Sequence, residues 1–199
     1  MALIKLKTNG ITDGAATANK VAIRRQVFTS SGTFTVPTGI TTVYVSICAG
    51  GGAGQNQGAN QSGGGGAGVL WLERTVTSGT AIAVTIGAAS SGTFSGGGVH
   101  GVDGNDSNFG TSGQGWYIEC DGGKGSNTQK GGLYTNSSPN QVSGGGNPTQ
   151  FGSGASVFSA GNARGTNTGA GRGFGTGGAG GNSGHNGMGG AAGYCVVEW

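Results

Sequence analysis

Charged residues and prolines are scarce in this sequence. Of its 199 residues, 9% are Asp, Glu, Lys or Arg, and only 3 are Pro. A collagen-type triple helix is excluded, because that helix needs abundant proline beside its glycines. The seven acidic residues are scattered, so a hydrolase with paired carboxylates has little support. The low charge also argues against a disordered chain, which normally combines high charge with few aromatic residues.

Cysteines and long apolar runs are scarce as well. Cys48, Cys120 and Cys195 show no CxxC spacing, and two of them lie in strand-like sequence, where Cys acts as a small buried apolar residue. No segment approaches the 18 or so apolar residues of a membrane span, and residues 1–10 lack the apolar stretch of a secretory signal. We therefore expect free thiols, no membrane insertion and synthesis in a reducing cytoplasm.

Glycine is the residue in excess, with 50 copies in the chain. From Gly175 to Gly193 it recurs at every third position, seven times in succession. A period of three matches the polyproline-II helix, which has three residues per turn. We expect polyglycine-II helices joined through their backbone groups, with a flexible linker as the alternative. The glycines between Gly50 and Gly66 lack this period and are interpreted as loops.

Strand-like segments separate the glycine tracts. Residues 42–48 alternate strictly, with Val43, Val45 and Ile47 on one face. Residues 69–76 and 81–86 are interpreted as a hairpin with a tight turn at 77–79. Further strand-like segments are 27–28, 32–36, 117–120 and 194–199. The sequence therefore predicts an all-β fold, an antiparallel β-sandwich with a polyglycine-II layer.

The first 26 residues differ from the rest of the chain. Residues 1–25 hold five basic residues and one Asp, a charge of +4, whereas the remaining residues carry −1. A nucleic-acid-binding protein would spread its basic residues over the main surface, so we expect no nucleic-acid partner. Residues 1–26 are predicted to be an attachment and oligomerisation arm, with a solvated tail as the alternative, and residues 27–199 a separate domain. The candidate attachment residues are Lys5, Lys7, Lys20, Arg24 and Arg25.

No grouping of side chains predicts catalysis, a cofactor or a metal. A GxGxxG match at residues 173–178 neither follows a strand nor opens a helix, as a dinucleotide site requires. His100, His185, Asp103 and Asp106 match no metal-site spacing and are interpreted as solvated side chains. The sequence shows no Ser or Cys grouped with an oriented His. We therefore expect a binding protein without enzymatic activity.

Aromatic residues in irregular segments are the candidate binding residues. Residues 126–165 combine aromatic side chains with Asn, Ser, Thr and Gln, a composition that paratopes use to bind protein or carbohydrate. Loops that only pack over their own scaffold are the alternative. The aromatic residues within strands, Phe34, Tyr44, Trp71 and Trp199, are interpreted as core or interface residues. The receptor-binding candidates are Trp116, Tyr117, Tyr134, Asn136, Phe151, Phe158 and Arg164.

The order of these segments resembles a known family. Residues 27–37 and 42–52 look like the opening of the glycine-rich domain of bacteriophage tail fibres. Residues 66–72, 81–87, 107–110 and 193–199 follow in similar order and spacing, so the resemblance covers residues 27–199. It implies a virion protein at a fibre tip whose variable loops contact a host polysaccharide or outer-membrane protein. Residues 11–21 are more weakly similar to segments near trimeric fibre stems.

These observations together predict a tail-fibre receptor-binding protein that is made in the host cytoplasm and located in the virion. Its partners would be the host surface and other tail or baseplate proteins. The resemblance implies a homotrimer, because tail fibres are usually trimers and the arm has too little apolar content to fold alone. The first alternative is a purely structural virion component, such as a capsid fibre or decoration protein. An extracellular matrix or ice-binding protein and a depolymerase are further alternatives.

Overall fold

The structure, a computed structural model, describes residues 24–54, 63–91, 101–125, 134–135, 154–160, 173–178 and 187–199. These residues form β-strands and no helix. Consequently, no helix in the described part of the chain could cross a membrane. The predicted all-β class is confirmed.

The strands match the expected segments closely, except that two of them were not predicted as strands, β6 and β8. The strand bounds are β1 Arg25–Phe28, β2 Gly32–Thr35, β3 Thr42–Cys48, β4 Gly68–Thr75, β5 Ala81–Thr85, β6 Ser107–Phe109, β7 Ile118–Cys120, β8 Tyr134–Thr135 and β9 Tyr194–Glu198.

The strands form two antiparallel sheets. Sheet A has the order β1-β9-β3-β4 and sheet B the order β2-β5-β6-β7-β8. Inward-facing residues of both sheets belong to one hydrophobic core, and the alternation in β3 buries Val43, Val45 and Ile47 as predicted. Phe34 of β2 lies fully buried in this core, where its ring contacts Phe109 and Trp199 at centroid distances of 6.2 and 5.5 Å.

The hairpin predicted from residues 69–76 and 81–86 is wrong. Strand β4 pairs with β3 in sheet A, whereas β5 pairs with β2 in sheet B. The turn between them carries the chain from one sheet to the other. It is bound to the turn that follows β2, because Gly79 N–H donates to the Val36 carbonyl at 2.9 Å and Ser78 Oγ accepts from Gly39 N–H at 3.0 Å. The sequence of this turn is compatible with a hairpin and with a change of sheet, so the turn alone could not distinguish the two.

The predicted boundary at residue 26 falls within β1. This strand begins at Arg25, which pairs with Glu198 of β9, and Arg24 exchanges backbone hydrogen bonds with Trp199. Arg24 and Arg25 therefore continue sheet A rather than precede it. Lys5, Lys7 and Lys20, the other attachment candidates, lie outside the described residues.

Residues 49–54, here called the central tract, extend β3 beyond its last residue and are fully buried. Their successive backbone N–H groups donate to three different neighbouring segments, and the order of the three repeats after every third residue. Ala49 and Gly52 donate to Ala67 and Gly64, both at 2.9 Å. The corresponding pairs are Gly50 and Ala53 with Asn105 and Val102, and Gly51 and Gly54 with Ala191 and Met188. Each neighbour is thus contacted at every third residue.

The central tract also accepts hydrogen bonds from three further segments. Gly123 N–H donates to the Gly50 carbonyl at 2.8 Å, and Gly178 N–H donates to the Gly52 carbonyl at 2.9 Å. Ser90 Oγ donates to the Gly51 carbonyl at 2.7 Å. We call these tracts together the glycine bundle: residues 49–54, 63–67, 87–90, 101–105, 121–125, 175–178 and 187–193. Within the part of the chain that the structure describes, six segments surround the central one.

The interpretation of Gly50–Gly66 as loops is therefore wrong for the residues that the structure describes. Residues 50–54 and 63–66 are buried, and their backbone groups are bonded to other tracts. The central tract lacks a glycine period because it is surrounded on all sides. A Cβ on Gly50, Gly51 or Gly52 would lie within 3 Å of a backbone oxygen, from a different neighbour in each case. Small residues are required at every position there, and not at one position in three.

Outer tracts, such as residues 101–105, differ from the central tract in their need for glycine, because only one of their edges faces it. A Cβ on Gly101 or Gly104 would meet the backbone of the central tract, whereas Val102 and Asp103 between them are exposed. A Cβ on Gly190 would likewise meet the backbone of Gly51 in the central tract. The three-residue spacing of glycine thus marks an outer tract.

We predict that Gly52→Ala lowers the stability of the protein far more than Gly115→Ala. A Cβ at residue 52 would meet the backbone of Lys124 and Gly123, whereas residue 115 has open space and no positive φ. Overpacking of this kind costs about 3 kcal/mol, a fall in Tm of roughly 6–12 °C. Thermal unfolding followed by circular dichroism measures both variants. Equal melting temperatures would contradict the tight backbone packing.

Candidate functional site

Five tracts of the glycine bundle run from a strand end to the end of the bundle remote from the sheets. Residues 49–54 follow β3, residues 63–67 precede β4, and residues 187–193 precede β9. Residues 101–105 lead into β6, and residues 121–125 leave β7. The bundle therefore has a proximal end at the sheets and a distal end away from them.

At the distal end the described tracts are bonded to one another. Gly54 bonds to Met188, Gly63 bonds to Gly178 and Gly154 bonds to Gly63, with N···O distances of 2.9 to 3.0 Å. Residues 55–62 and 179–186 are therefore each flanked on both sides by distal residues. The described residues at this end are Gly54, Gly63, Gly101, Gly125, Gly154, Gly178 and Gly187.

An ion pair lies at the same end. Lys124 Nζ is 3.1 Å from Asp103 Oδ2, and Asp103 Oδ1 accepts a hydrogen bond of 2.7 Å from Gly125 N–H. Both side chains are about half exposed, so the pair contributes at most about 1 kcal/mol. Val102 beside it exposes its side chain to solvent. The described distal surface thus carries an ion pair and an exposed apolar side chain.

Three carboxylates meet where sheet B joins the bundle. One oxygen from each of Asp106, Glu119 and Asp121 lies within 4.8 Å of the others. Burial raises the pKa of Asp121, repulsion from Asp106 and Glu119 raises it further, and Lys124 partly offsets the rise. Carboxylate oxygens are the ligands that hard divalent cations prefer, although exposed acidic groups of this kind are common without an ion.

The three cysteines lie in the core, as the sequence predicted for thiols in strands. Cys48, Cys120 and Cys195 are free and buried. Burial raises the pKa of Cys48 to about 12, and it raises the pKa values of Cys120 and Cys195 well above the ordinary thiol value. Since the thiolate is the reactive form, these groups are unsuited to nucleophilic or redox chemistry near neutral pH.

The receptor-binding candidates that the structure describes lie in three separate places. Trp116 and Tyr117 lie in the turn between β6 and β7, at the end of sheet B opposite the bundle. Trp116 packs partly against the core, and Phe158 contacts Tyr194 of sheet A at a centroid distance of 5.2 Å. Tyr134 begins β8. Asn136, Phe151 and Arg164 lie outside the described residues, as do His100 and His185.

Sheet A exposes aromatic residues that were assigned to the core or an interface. Trp71 of β4 is 55% exposed and contacts the half-buried Tyr44 of β3. Tyr194 stacks on Phe174, with ring centroids 4.2 Å apart. The alternation in β3 predicts that Tyr44 faces outward. Since Val43 and Val45 face the core, the residue between them must lie on the other face of the sheet.

A protein-family model, described as a glycine-rich domain, matches residues 29–199 of the chain. The chain belongs to this glycine-rich domain family. The glycine-rich part of the resemblance drawn from sequence is therefore confirmed. A search of curated proteins finds no match to the chain.

In this glycine-rich domain, the thiols are expected to be unreactive until the fold opens. At pH 8 a colorimetric thiol reagent should leave the native protein unmodified and should label all three cysteines in denaturant. The reason is that burial keeps each thiol protonated and inaccessible. Rapid modification of the native protein would show that the core around Cys48 is open to solvent.

Asp121→Asn is expected to stabilise the domain at neutral pH. The native pKa of Asp121 is raised, so its charged form destabilises the fold above that pKa, and the effect disappears as pH falls to the ordinary value of 3.8. Because the side chain is partly exposed, we expect a gain of about 0.5 kcal/mol in the free energy of unfolding at pH 7. Urea unfolding at pH 7 and pH 3 measures it.

The matched control is Asp103→Asn, which removes a carboxylate that has favourable partners in Lys124 and Gly125. This variant should not gain stability at pH 7. If both variants gained equally, a general effect of net charge would explain the result, and repulsion among the three carboxylates would not.

Proposed function

We propose that the chain is a two-part rigid scaffold, a β-sandwich continued by a bundle of polyglycine-II helices. The sandwich is supported by the single core to which both sheets contribute. The helices are supported by hydrogen bonds that return to the same neighbour at every third residue, since a polyproline-II-type helix has three residues per turn. Such helices make no internal hydrogen bonds, so their backbone groups need partners in adjacent tracts.

On this scaffold we propose an attachment function, that of a bacteriophage tail-fibre protein that binds the host cell surface. The observation that carries the proposal is that described tracts of the bundle end beside one another, with Gly54 bonded to Met188 and Gly63 bonded to Gly178 and Gly154. Segments that connect rigid tracts at one end can vary without disturbing the packing, and binding residues are found disproportionately on such connections. Of the predicted receptor-binding residues, Asn136 and Phe151 belong to residues 136–153, which lead to Gly154 at this end.

The family supports the glycine-rich scaffold, and the phage setting is part of the proposal, as are the virion location and the homotrimer. In this proposal residues 1–23 dock the protein on other tail or baseplate components, with Lys5, Lys7 and Lys20 as contact residues. Several copies on one particle would allow weak individual sites, because avidity multiplies them. We propose no catalytic step.

A purely structural role in the virion is the second candidate. It is favoured by the extent of the buried backbone network, which gives rigidity whether or not any ligand binds. The two candidates differ in one measurable respect. An attachment protein binds cells by itself, whereas a decoration protein binds only the particle.

The test is adsorption of the purified full chain to a panel of bacterial strains, followed by competition with phages that infect the strains bound. We expect saturable binding to particular strains and a reduced rate of phage adsorption to them. Protein heated until circular dichroism shows an irreversible loss of structure serves as the unfolded control. A folded protein that binds no strain and competes with no phage would contradict the attachment function.

A further inference from the structure

The outer face of sheet A carries a row of side chains centred on Tyr44. Across the strands, Tyr44 pairs with Glu73 of β4 on one side and with Glu198 of β9 on the other. Arg25 of β1 pairs in turn with Glu198. Neighbouring strands lie about 4.8 Å apart, so the aromatic ring is flanked by a carboxylate on each side.

Trp71 stands beside this row in an unusual backbone conformation. Its φ is 53°, whereas every other positive φ among the described residues belongs to glycine. The pairing of β3 with β4 shifts register between Val45 and Ile47, and the bulge is held there by a 2.9 Å hydrogen bond from Trp71 N–H to Ser46 Oγ. For a bulky residue this conformation costs about 1–3 kcal/mol.

The strained conformation does not bury the indole ring. Trp71 is 55% exposed, and its ring is tilted by 50° against Tyr44 with centroids 5.3 Å apart. Leu70, the preceding residue, is 38% exposed. A bulge that turns a large apolar side chain outward has no benefit for the core. Strain of this kind and exposed apolar groups both indicate a ligand-binding surface.

The chemistry of the row fits one class of ligand. Aromatic rings offer flat apolar surfaces to the C–H faces of a sugar ring, while carboxylates accept hydrogen bonds from its hydroxyl groups. Glu73 and Glu198 outnumber Arg25, so the row has negative charge and would repel an acidic polymer. We propose that Tyr44, Trp71, Glu73 and Glu198 form a binding surface for a neutral polysaccharide.

This inference rests on the proposed attachment function for its biological meaning. It places one ligand contact on the outer face of sheet A, and not at the distal end of the bundle. The surface is open along the row, which suits a chain of sugars better than a single one. Val27 and Val196 lie in the next row and are partly exposed. The competing occupant of such a face is a second copy of the chain, which the experiment below separates.

The experiment is affinity electrophoresis of the full chain in gels that contain a neutral polymer, namely dextran, mannan or galactan, or an acidic one, polygalacturonate. We expect at least one neutral polymer to retard the wild type and polygalacturonate to have no effect. Trp71→Ala and Glu73→Gln should each weaken the retardation about tenfold or more. Thr33→Ala, which truncates an exposed residue of β2 in sheet B, should behave like the wild type.

Circular dichroism and light scattering accompany each variant. Folded Trp71→Ala that is retarded as strongly as the wild type overturns the proposal, and so does a wild type that none of the three neutral polymers retards. A fall in oligomer mass for Trp71→Ala overturns it as well, since the face would then be covered by a second copy.

Adsorption to bacterial strains separates this inference from the attachment function. If the wild type and Trp71→Ala adsorb to cells equally and no neutral polymer binds, the sugar surface is refuted and attachment stands. If Trp71 is needed for retardation in the gel and no strain is bound, the sugar surface stands and attachment is refuted.

Discussion

The hydrogen bond between one glycine-rich tract and the next is the interaction on which the rest of the structure depends. A buried peptide group without a partner costs several kcal/mol, so an extended segment in the interior needs a neighbour for each of its N–H and C=O groups. In the central tract, successive N–H groups bond to three different neighbours and then return to the first. Neighbours can come this close only because side chains are absent, which explains why glycine is concentrated in the tracts.

The two sheets stabilise the bundle by holding the proximal ends of its tracts in register. Strand β3 runs directly into the central tract, and β9 follows the tract of residues 187–193, while the two strands pair from Tyr44 to Cys48. The side-chain core supplies hydrophobic stabilisation that a backbone bundle lacks. Ordering so many glycines is entropically costly, and the apolar core helps to offset that cost.

Strands were predictable from the sequence because the alternation of apolar residues is a local signal, as in β3. The pairing of β4 and β5 was not, since a turn at residues 77–79 is compatible with either a hairpin or a change of sheet. The glycine period located an outer tract at Gly190 and Gly193, where a Cβ on either residue would meet the backbone of Gly51 or Cys48. It could not locate the central tract, where no edge faces solvent and no period arises. Trp71 was missed because its outward orientation results from a bulge, which depends on the pairing of two strands.

The burial of peptide groups in place of apolar side chains has a thermodynamic consequence. Exposure of apolar surface raises the heat capacity of unfolding, and exposure of polar surface lowers it. The glycine bundle consists mainly of buried backbone, so its contribution per residue to this heat capacity is smaller than that of an ordinary core. A smaller heat capacity change flattens the dependence of stability on temperature. The protein should therefore approach its maximum stability gradually and resist cold as well as heat.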